Sequence, residues 1–320
     1  MRGLSVRLKA ASAVRGEVGY PSLARGLTIF AIGDIHGRAD LLGALHRAID
    51  ATCRRSRGRV LEVYLGDYVD RGPHSAETVE ILLRRERWRE TVFLRGNHEA
   101  MLQQFLDGNL ELRDWARFGG LQTLTSYGVE PSLWRMPAGC LAELRARLPP
   151  THSTFLRTLL DWAWFGDYFF VHAGVRPGVC LEAQTAHDAC WIGDEFLRDR
   201  RNHGAIVVHG HSVTPAPEFL DNRINIDTGA FLSGRLTCLR LDHEGARLFS
   251  AEGGGVLQSV ATPQRSPGAK LRAAARQGGG LRFHTGRPLV GRLKAAWRSN
   301  GAPIAGVGAQ GQEPALDREL

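Results

Sequence analysis

The sequence is short of lysine, of paired cysteines and of long hydrophobic runs. Lysine occurs only at Lys9, Lys270 and Lys294 among 41 basic residues, so nearly all of the positive charge is arginine. The five cysteines form no CxxC pair and leave an odd one over, which argues against a disulfide framework and a cysteine zinc site. No run of about 18 apolar residues predicts a membrane span, and residues 1–15 lack the continuous apolar segment of a signal peptide. We therefore expect a cytoplasmic protein without membrane contact.

The positive charge of the chain is concentrated at its two ends. The net charge is +8, of which residues 1–26 carry +4 and residues 251–320 carry +6, so that residues 27–250 carry −2. Proteins bind nucleic acid through a surplus of positive charge that displaces counterions, and we expect no such binding by residues 27–250. The composition of the ends predicts a basic flexible leader at 1–26 and a disordered Gly-, Ala- and Arg-rich tail at 251–320.

Three short apolar segments each end in a polar turn motif. Each segment is typical of a buried strand, and leucines at helical spacing follow the first one, with Asp40 as the candidate cap of that helix. Ligand sites of open α/β sheets lie at the carboxyl ends of the strands, so we expect the three motifs to form one site. The segments and motifs are 27–32 with GDIHG at 33–37, 60–65 with GDYVDRG at 66–72, and 91–94 with RGNHE at 95–99.

The pattern changes in the middle of the chain and then returns to short strands. Leucines and aromatic residues, interrupted by Gly-Gly and Pro-Pro pairs, predict a helical insertion at about 101–164 that covers the site. A strand at 168–171 is then followed by HAG at 172–174, and a strand at 205–208 by HGHS at 209–212. The last predicted strands are 224–227, 236–241 and 247–249.

The side chains at these strand ends form a candidate site for two metal ions. Oxygen and imidazole donors without thiolates suit Mn, Fe or Zn. Two ions about 3.5–4 Å apart clamp the oxygens of a phosphate ester, and they lower the pKa of a water held between them from 15.7 towards about 7, which gives hydroxide for in-line attack. Each residue alone has an ordinary alternative as a turn residue, a core histidine or a helix cap, but their recurrence at successive strand ends favours a site. The candidate ligands are Asp34, His36, Asp67, Asn97, His172 and His211.

The motifs resemble those of the phosphoprotein phosphatase family, which lies within the calcineurin-like metallophosphoesterases. The resemblance is to bacterial members, which include serine/threonine protein phosphatases and symmetrical diadenosine tetraphosphatases. It spans about 27–250 and leaves out both ends. The motifs that carry it are GDIHG at 33–37, GDYVDRG at 66–72, GNHE at 96–99, HAG at 172–174 and GH at 210–211.

The resemblance implies a role for each residue of the site. Asp67 would bridge the two metal ions. His98 would be the general acid that protonates the leaving oxygen, with Asp70 orienting its ring, and Arg71 and Arg95 would bind the phosphoryl oxygens. The first ion would be held by Asp34, His36 and Asp67, and the second by Asp67, Asn97, His172 and His211.

One position departs from the family pattern. Related bacterial sequences commonly carry a phosphate-binding arginine two residues after the tryptophan that corresponds to Trp191, where this chain has Gly193. This departure puts the affinity for phosphate in doubt, and either Arg176 or Arg198 is available to compensate.

The resemblance implies a four-layer αββα sandwich in the α/β class, with two packed sheets, flanking helices and the two ions at the strand ends. The expected activity is phosphomonoester hydrolysis with Mn²⁺, or with Fe or Zn, on phosphoserine or phosphothreonine of a phosphoprotein. Two alternatives stay open. The first is a symmetrical diadenosine tetraphosphatase, and the second is a catalytically weak phosphate-binding regulatory module, which the Gly193 departure alone supports.

Overall fold

The structure, a computed structural model, describes residues 23–54 and 58–252 together with the backbone of two further strands at 256–260 and 282–284. The described strands are β1 (Leu27–Ile32), β2 (Arg59–Tyr64), β3 (Glu90–Phe93), β4 (Trp162–Phe165), β5 (Tyr168–Val171), β6 (Ile206–His209), β7 (Glu218–Phe219), β8 (Arg223–Asn225), β9 (Arg235–Asp242), β10 (Gly245–Glu252), β11 (Val256–Val260) and β12 (Arg282–His284). The described α-helices are α1 (Ala39–Cys53), α2 (Ser75–Arg85), α3 (Asn97–Asp107), α4 (Leu112–Ala116), α5 (Gly120–Ser126), α6 (Pro137–Arg147), α7 (Pro150–Thr158), α8 (Ala186–Trp191), α9 (Asp194–Leu197) and α10 (Ala230–Ser233), with 3-10 turns at Pro131–Arg135 and Leu181–Ala183.

The strands form two mixed sheets. In the first sheet, the carboxyl ends of the parallel strands β1, β2 and β3 lie side by side. The first sheet has the order β11-β10-β9-β1-β2-β3 and the second the order β12-β4-β5-β6-β8-β7. In the first sheet Ile32 pairs with Tyr64 and Tyr64 with Phe93, at the ends of three parallel strands. In the second sheet β5, β6 and β8 are parallel. The two sheets with their helices confirm the predicted α/β metallophosphoesterase fold.

The first strand and helix show how the apolar pattern becomes buried. The last four residues of β1 are buried, as expected for a strand inside a sheet that is covered on both faces. On α1, Leu41 and Leu45 are buried at the predicted spacing. The helix begins at Ala39, however, and Asp40 does not cap it, because the Asp40 carboxylate accepts hydrogen bonds from Arg38 instead.

The predicted helical insertion contains α4 to α7, but its last residues form a strand. Residues 162–165 pair with β5 in antiparallel register, Trp162 opposite Val171 and Phe165 opposite Tyr168. The aromatic residues of β4 come shortly after the last helix of the insertion, so the sequence pattern alone did not show where the helices end and the strand begins. The pairing of β4 with β5 across the tight turn at Gly166 makes this segment a strand.

Part of the chain beyond the predicted domain is also in strands. β11 pairs with β10 and β12 pairs with β4, inside the segment 251–320 for which disorder is predicted. Residues 1–22, 261–281 and 285–320 lie outside the described residues, so the limits of the leader and the tail stay predictions. No helix in the described ranges is long and apolar enough to cross a bilayer.

Candidate metal centre

The turns after β1 and β2 are hydrogen-bonded to each other and bring their ligand side chains together. The backbone oxygen of Asp67 accepts from the amides of Ile35 and His36, at 3.0 and 2.8 Å. His36, Asp67 and His211 have φ angles of 47°, 53° and 64°, in the left-handed region that non-glycine residues adopt at an energetic cost. Gly96 passes so close to the Asp67 carboxylate that a Cβ at this position would collide with it.

The carboxylate of Asp67 lies between two groups of ligand atoms. On one side, His36 Nε2 is 3.4 Å and His98 Nε2 is 3.8 Å from Asp67 Oδ2. On the other side, His172 Nε2 is 3.3 Å from Asp67 Oδ1, and the ligand atoms of Asp67, His172 and His211 lie within 4.8 Å of one another. A single carboxylate shared by two groups is the arrangement that a bridging ligand needs.

Backbone carbonyls orient two of the imidazoles towards the cluster. His36 Nδ1 lies 2.9 Å from the oxygen of Val69, and His172 Nδ1 lies 3.0 Å from the oxygen of Leu65, so both Nε2 atoms face inward. Burial lowers the pKa of His36 to about 3 and that of His211 to about 4. These two imidazoles are therefore neutral, which is the form that binds a metal.

Asp34 and Asn97 complete the predicted ligand set, and a further carboxylate adjoins it. Asn97 Oδ1 lies 3.0 Å from both His172 Nε2 and His211 Nδ1, and Asp34 Oδ2 accepts from the backbone amide of His211 at 3.0 Å. Asp227, buried at the turn after β8, lies beside Asp34, and burial together with this like charge raises the pKa of Asp34 well above its usual value. Asp227 was not predicted as a ligand, and its one signal in the sequence was its place at the end of a predicted strand.

The cluster fits two divalent cations. In the described part of the chain, Asp34 Oδ1 and His98 Nε2 are buried and have no hydrogen-bond partner. A cation would satisfy the oxygen of Asp34 and offset the repulsion between Asp34 and Asp227. All six predicted ligands are present and would hold two ions that share Asp67. His98 Nε2 also falls within 4.8 Å of the ligand atoms of His36 and Asp67, so its role as an acid stays a prediction.

The other nitrogen of His98 is held by a carboxylate that is itself fully hydrogen-bonded. His98 Nδ1 lies 2.8 Å from Asp70 Oδ2, and Asp70 also accepts from Trp115 Nε1 at 2.9 Å and Thr123 Oγ1 at 2.6 Å. Burial lowers the pKa of His98, but Asp67 and Asp70 more than offset this and raise it above its ordinary value. The arrangement can therefore present a protonated imidazole to the cluster.

Glu99 connects the turns after β2 and β3, and the sequence analysis assigned it no role. Its buried carboxylate accepts from the backbone amides of Asp67, Tyr68 and Gly96, at 2.9, 2.7 and 3.0 Å, and from that of Val69 at 3.2 Å. Hydrogen bonds from several backbone amides fix both turns at once. Its place as the last residue of the GNHE motif was the available signal.

Of the three arginines predicted to bind phosphate, Arg71 is the one that the structure brings to the cluster. Its guanidinium carbon lies 4.6 Å from the ring centre of Phe231, and its charge adds to burial in lowering the pKa of His36 and His211.

The other two arginines have partners elsewhere. Arg95 Nη1 is 3.6 Å from Asp161. Arg176 donates to Asp188 at 3.0 Å and to Glu195 at 3.0 Å on the surface. Their predicted substrate contacts therefore stay predictions, and no described contact joins either side chain to the metal cluster.

Two aromatic side chains adjoin the cluster. Phe231 packs edge-on against His36 with ring centres 5.2 Å apart. Phe118, which is 39% exposed, has its ring centre 6.2 Å from that of His98. Phe118 lies in the helical insertion that was predicted to cover the site, whereas Phe231 was not found from the sequence, because a single apolar residue in a short turn has no period that marks it.

Comparison with known proteins gives a consistent family. The calcineurin-like phosphoesterase family matches residues 27–228. The asymmetrical bis(5'-nucleosyl)-tetraphosphatase PrpE of Bacillus subtilis is 29% identical over 228 residues, covering 65% of this chain and 88% of the relative. The protein of the same name from Anoxybacillus flavithermus is 25% identical over 232 residues, with the same coverage of 65% and 88%.

A solved structure, the cold-active protein-tyrosine phosphatase of a Shewanella species, superposes with a TM-score of 0.47 at 16% identity, covering 81% of this chain and 90% of that one. The family match itself includes the three turn motifs and both later histidine motifs. The chain therefore belongs to the calcineurin-like phosphoesterase family and is a hydrolase of phosphoric esters.

Proposed function

We propose that the cluster around Asp67 hydrolyses phosphoric esters and anhydrides, and that dinucleoside polyphosphates are its substrates. The observation that carries the reaction is the sharing of Asp67 between two ligand groups beside His98. The substrate class is supported by the relatives from B. subtilis and A. flavithermus, which are both named bis(5'-nucleosyl)-tetraphosphatase. The match with this chain covers 88% of the length of each relative.

The residues of the chain divide the work of hydrolysis. Two divalent ions, when bound, supply positive charge to the phosphoryl oxygens and a nucleophile at neutral pH. Arg71 binds the phosphoryl oxygens next to them. When the bond between phosphorus and the leaving oxygen breaks, the proton on His98 Nε2 passes to that oxygen, and Asp70 holds the ring in position.

A serine/threonine protein phosphatase is the second candidate. It is supported by the three turn motifs, which resemble those of the phosphoprotein phosphatase family. The third reading, a weak phosphate-binding module, rests on Gly193. A cytoplasmic location and Mn²⁺ as the metal belong to the proposal as well.

One assay separates these candidates. Purified protein with Mn²⁺ is given diadenosine tetraphosphate or a phosphoserine peptide at equal concentration, and the products are resolved by chromatography. We expect the nucleotide to turn over faster and to yield AMP and ATP, the asymmetrical pair. Two molecules of ADP would show symmetrical cleavage instead. Faster release of phosphate from the peptide would establish the protein phosphatase, and no turnover of either by fully loaded protein would leave a binding module.

Chelation tests the metal requirement separately. Removal of divalent ions should abolish hydrolysis of p-nitrophenyl phosphate, and Mn²⁺ should restore it. Undiminished activity in metal-free protein would contradict a two-ion centre at Asp67.

A further inference from the structure

The turn between α4 and α5 is anchored to the carboxylate that holds His98. Trp115, at the end of α4, and Thr123, on α5, both donate to Asp70, and Thr123 Oγ1 also accepts from the Asp70 amide at 2.9 Å. Phe118 lies in the chain between these two contacts. Its position relative to His98 is therefore set from both sides, although its own side chain is 39% exposed.

A second contact presses the same turn against the neighbouring arginine. The amide of Arg71 donates to the oxygen of Gly119 at 3.2 Å. Gly119 has φ +93°, and a Cβ there would collide with the backbone of Arg71, so only glycine permits this approach. As a result the ring centre of Phe118 lies 6.2 Å from that of His98.

Trp191 also contacts Phe118. The two ring centres are 6.3 Å apart and the rings are nearly perpendicular. Trp191 is the last residue of α8, and this helix is joined to the turn that carries His172 because the amide of Ala173 donates to Ala189 at 2.8 Å. Both rings are therefore fixed to the turns that form the cluster, and both are partly exposed.

The chain is open shortly after Trp191. At Gly193 no heavy atom lies within 4 Å of the position that a Cβ would occupy. Trp191, two residues earlier, is partly exposed. Its side chain is therefore accessible to a group from outside the core.

We propose that Phe118 and Trp191 are specificity-determining residues that stack on a flat ring in the leaving group, a nucleobase when the substrate is a dinucleoside polyphosphate. The inference rests on the proposed function, since the leaving oxygen must lie beside His98 to receive its proton. The group attached to that oxygen then passes next to Phe118. Stacking of a base on an aromatic side chain is sequence-tolerant and contributes about a tenfold or larger gain per base.

Substrate pairs with and without a flat ring test the proposal in the Mn²⁺-loaded protein. 1-Naphthyl phosphate is compared with ethyl phosphate, and diadenosine tetraphosphate with inorganic tetraphosphate. We expect Phe118→Leu and Trp191→Leu to lower kcat/KM about tenfold for 1-naphthyl phosphate and diadenosine tetraphosphate. The loss should be less than about twofold for ethyl phosphate and inorganic tetraphosphate, which have no flat ring. Phe118→Tyr keeps a flat ring and should preserve the preference.

Trp88→Leu is the matched control, because Trp88 is 58% exposed and its ring contacts Arg85 and Arg89 rather than the cluster. Trp88→Leu should change neither the ratio of kcat/KM for 1-naphthyl phosphate over ethyl phosphate nor that for diadenosine tetraphosphate over inorganic tetraphosphate. An equal loss for both members of a pair would show that the two rings only support the fold, and unchanged ratios would overturn the stacking role.

The outcomes also distinguish this inference from the proposed function. If diadenosine tetraphosphate is not cleaved but the naphthyl preference exists and is lost in both leucine variants, the stacking site stands and the nucleotide substrate falls. If the nucleotide is cleaved and the variants leave its preference intact, the stacking site falls alone.

Discussion

At the scale of single residues, the centre is built from backbone conformations that most side chains avoid. Among the described residues, the non-glycine residues with positive φ are His36, Asp67, Asp70, Arg71 and His211, and all five belong to the site. Each such conformation costs on the order of 1 kcal/mol and persists only where surrounding contacts enforce it. Strain of this kind places side chains where an ordinary strand or helix would not.

Substitution of His98 separates acid catalysis from metal binding. His98→Asn should lower kcat by about 10²–10⁴ for alkyl phosphates, because the leaving oxygen loses its proton donor. The loss should shrink for p-nitrophenyl phosphate, whose leaving group needs little protonation. Asp70→Asn should give a smaller loss in the same direction, since Asp70 orients the ring without donating the proton. Metal content, measured by atomic emission, should stay at two ions, and loss of an ion in His98→Asn would make His98 a ligand.

Gly193 offers a gain of function. No heavy atom lies within 4 Å of the position of a Cβ, so Gly193→Arg should fold, and the resemblance to the phosphatase family implies that this arginine would bind phosphate. We expect the KM for p-nitrophenyl phosphate to fall about tenfold, the order of one charge-assisted hydrogen bond. Gly193→Ala is the control and should leave KM unchanged. Equal KM values in the two variants would show that position 193 does not face the phosphate.

At the scale of elements, Glu99 links the turns that follow β2 and β3 through hydrogen bonds to both. Its carboxylate serves four amides from two turns, so a neutral side chain with one acceptor oxygen cannot replace it. Glu99→Gln should lower the free energy of unfolding by about 3 kcal/mol and reduce Mn²⁺ content, because Asp67 and Asn97 lie on the two turns.

Urea denaturation and metal analysis measure these two effects. The control is Glu143→Gln, which removes an exposed ion pair with Arg147 on α6 and should cost about 0–1 kcal/mol. Equal stability losses in the two variants would show that Glu99 does not organise the turns.

The contact between α1 and β2 makes stability depend on pH. His46 Nε2 lies 2.8 Å from the hydroxyl of Tyr64, and burial lowers the pKa of His46 to about 3. The unfolded chain takes up this proton near pH 6.5, so between pH 6.5 and 3 it binds a proton that the folded chain lacks. Stability should therefore fall as the pH falls through this window, by up to about 1.4 kcal/mol per pH unit from this residue.

Urea titrations at pH 7 and pH 5 measure the contribution of His46. His46→Gln should weaken the dependence, whereas substitution of the exposed His243 should not. An unchanged dependence in His46→Gln would assign the effect to other groups.

At the scale of the whole molecule, the site and the basic ends are separate. Among the described residues, those placed at the cluster lie between residues 34 and 231. Removal of residues 285–320 should leave turnover of p-nitrophenyl phosphate unchanged. Removal of 251–320 deletes two paired strands as well and should lower Tm, while turnover at 25 °C stays within about twofold. A tenfold loss of turnover in the shorter deletion would place part of the tail at the site.

Removal of both ends locates any affinity for nucleic acid. Residues 27–250 carry −2, so a chain trimmed to these residues should not bind DNA at physiological salt. Salt-sensitive binding of DNA by the chain trimmed to 27–250 would contradict this.

The local sequence pattern was enough to predict the six candidate ligands, because each of them follows an apolar strand. The carboxyl ends of parallel strands lie at the same edge of a sheet, so these side chains were expected close together. It also predicted His98, Asp70 and Arg71, which lie within the same motifs. The amphipathic spacing of Leu41 and Leu45 predicted α1 for a similar reason, since one turn of helix is a local repeat.

The side chains that hold the site residues in place come from distant parts of the chain. Trp115 and Thr123 lie 45 and 53 positions from Asp70, and nothing in their neighbourhood marks them as its partners. Arg176 pairs with Asp188 and Glu195, and its position in the sequence gave no sign of these two carboxylates. The sequence alone therefore determined which polar side chains follow the strands and are candidates for binding metal and transferring a proton. The tertiary structure decided which buried donors hold them and which aromatic rings adjoin His98, because those choices follow from packing between segments that carry no local signal.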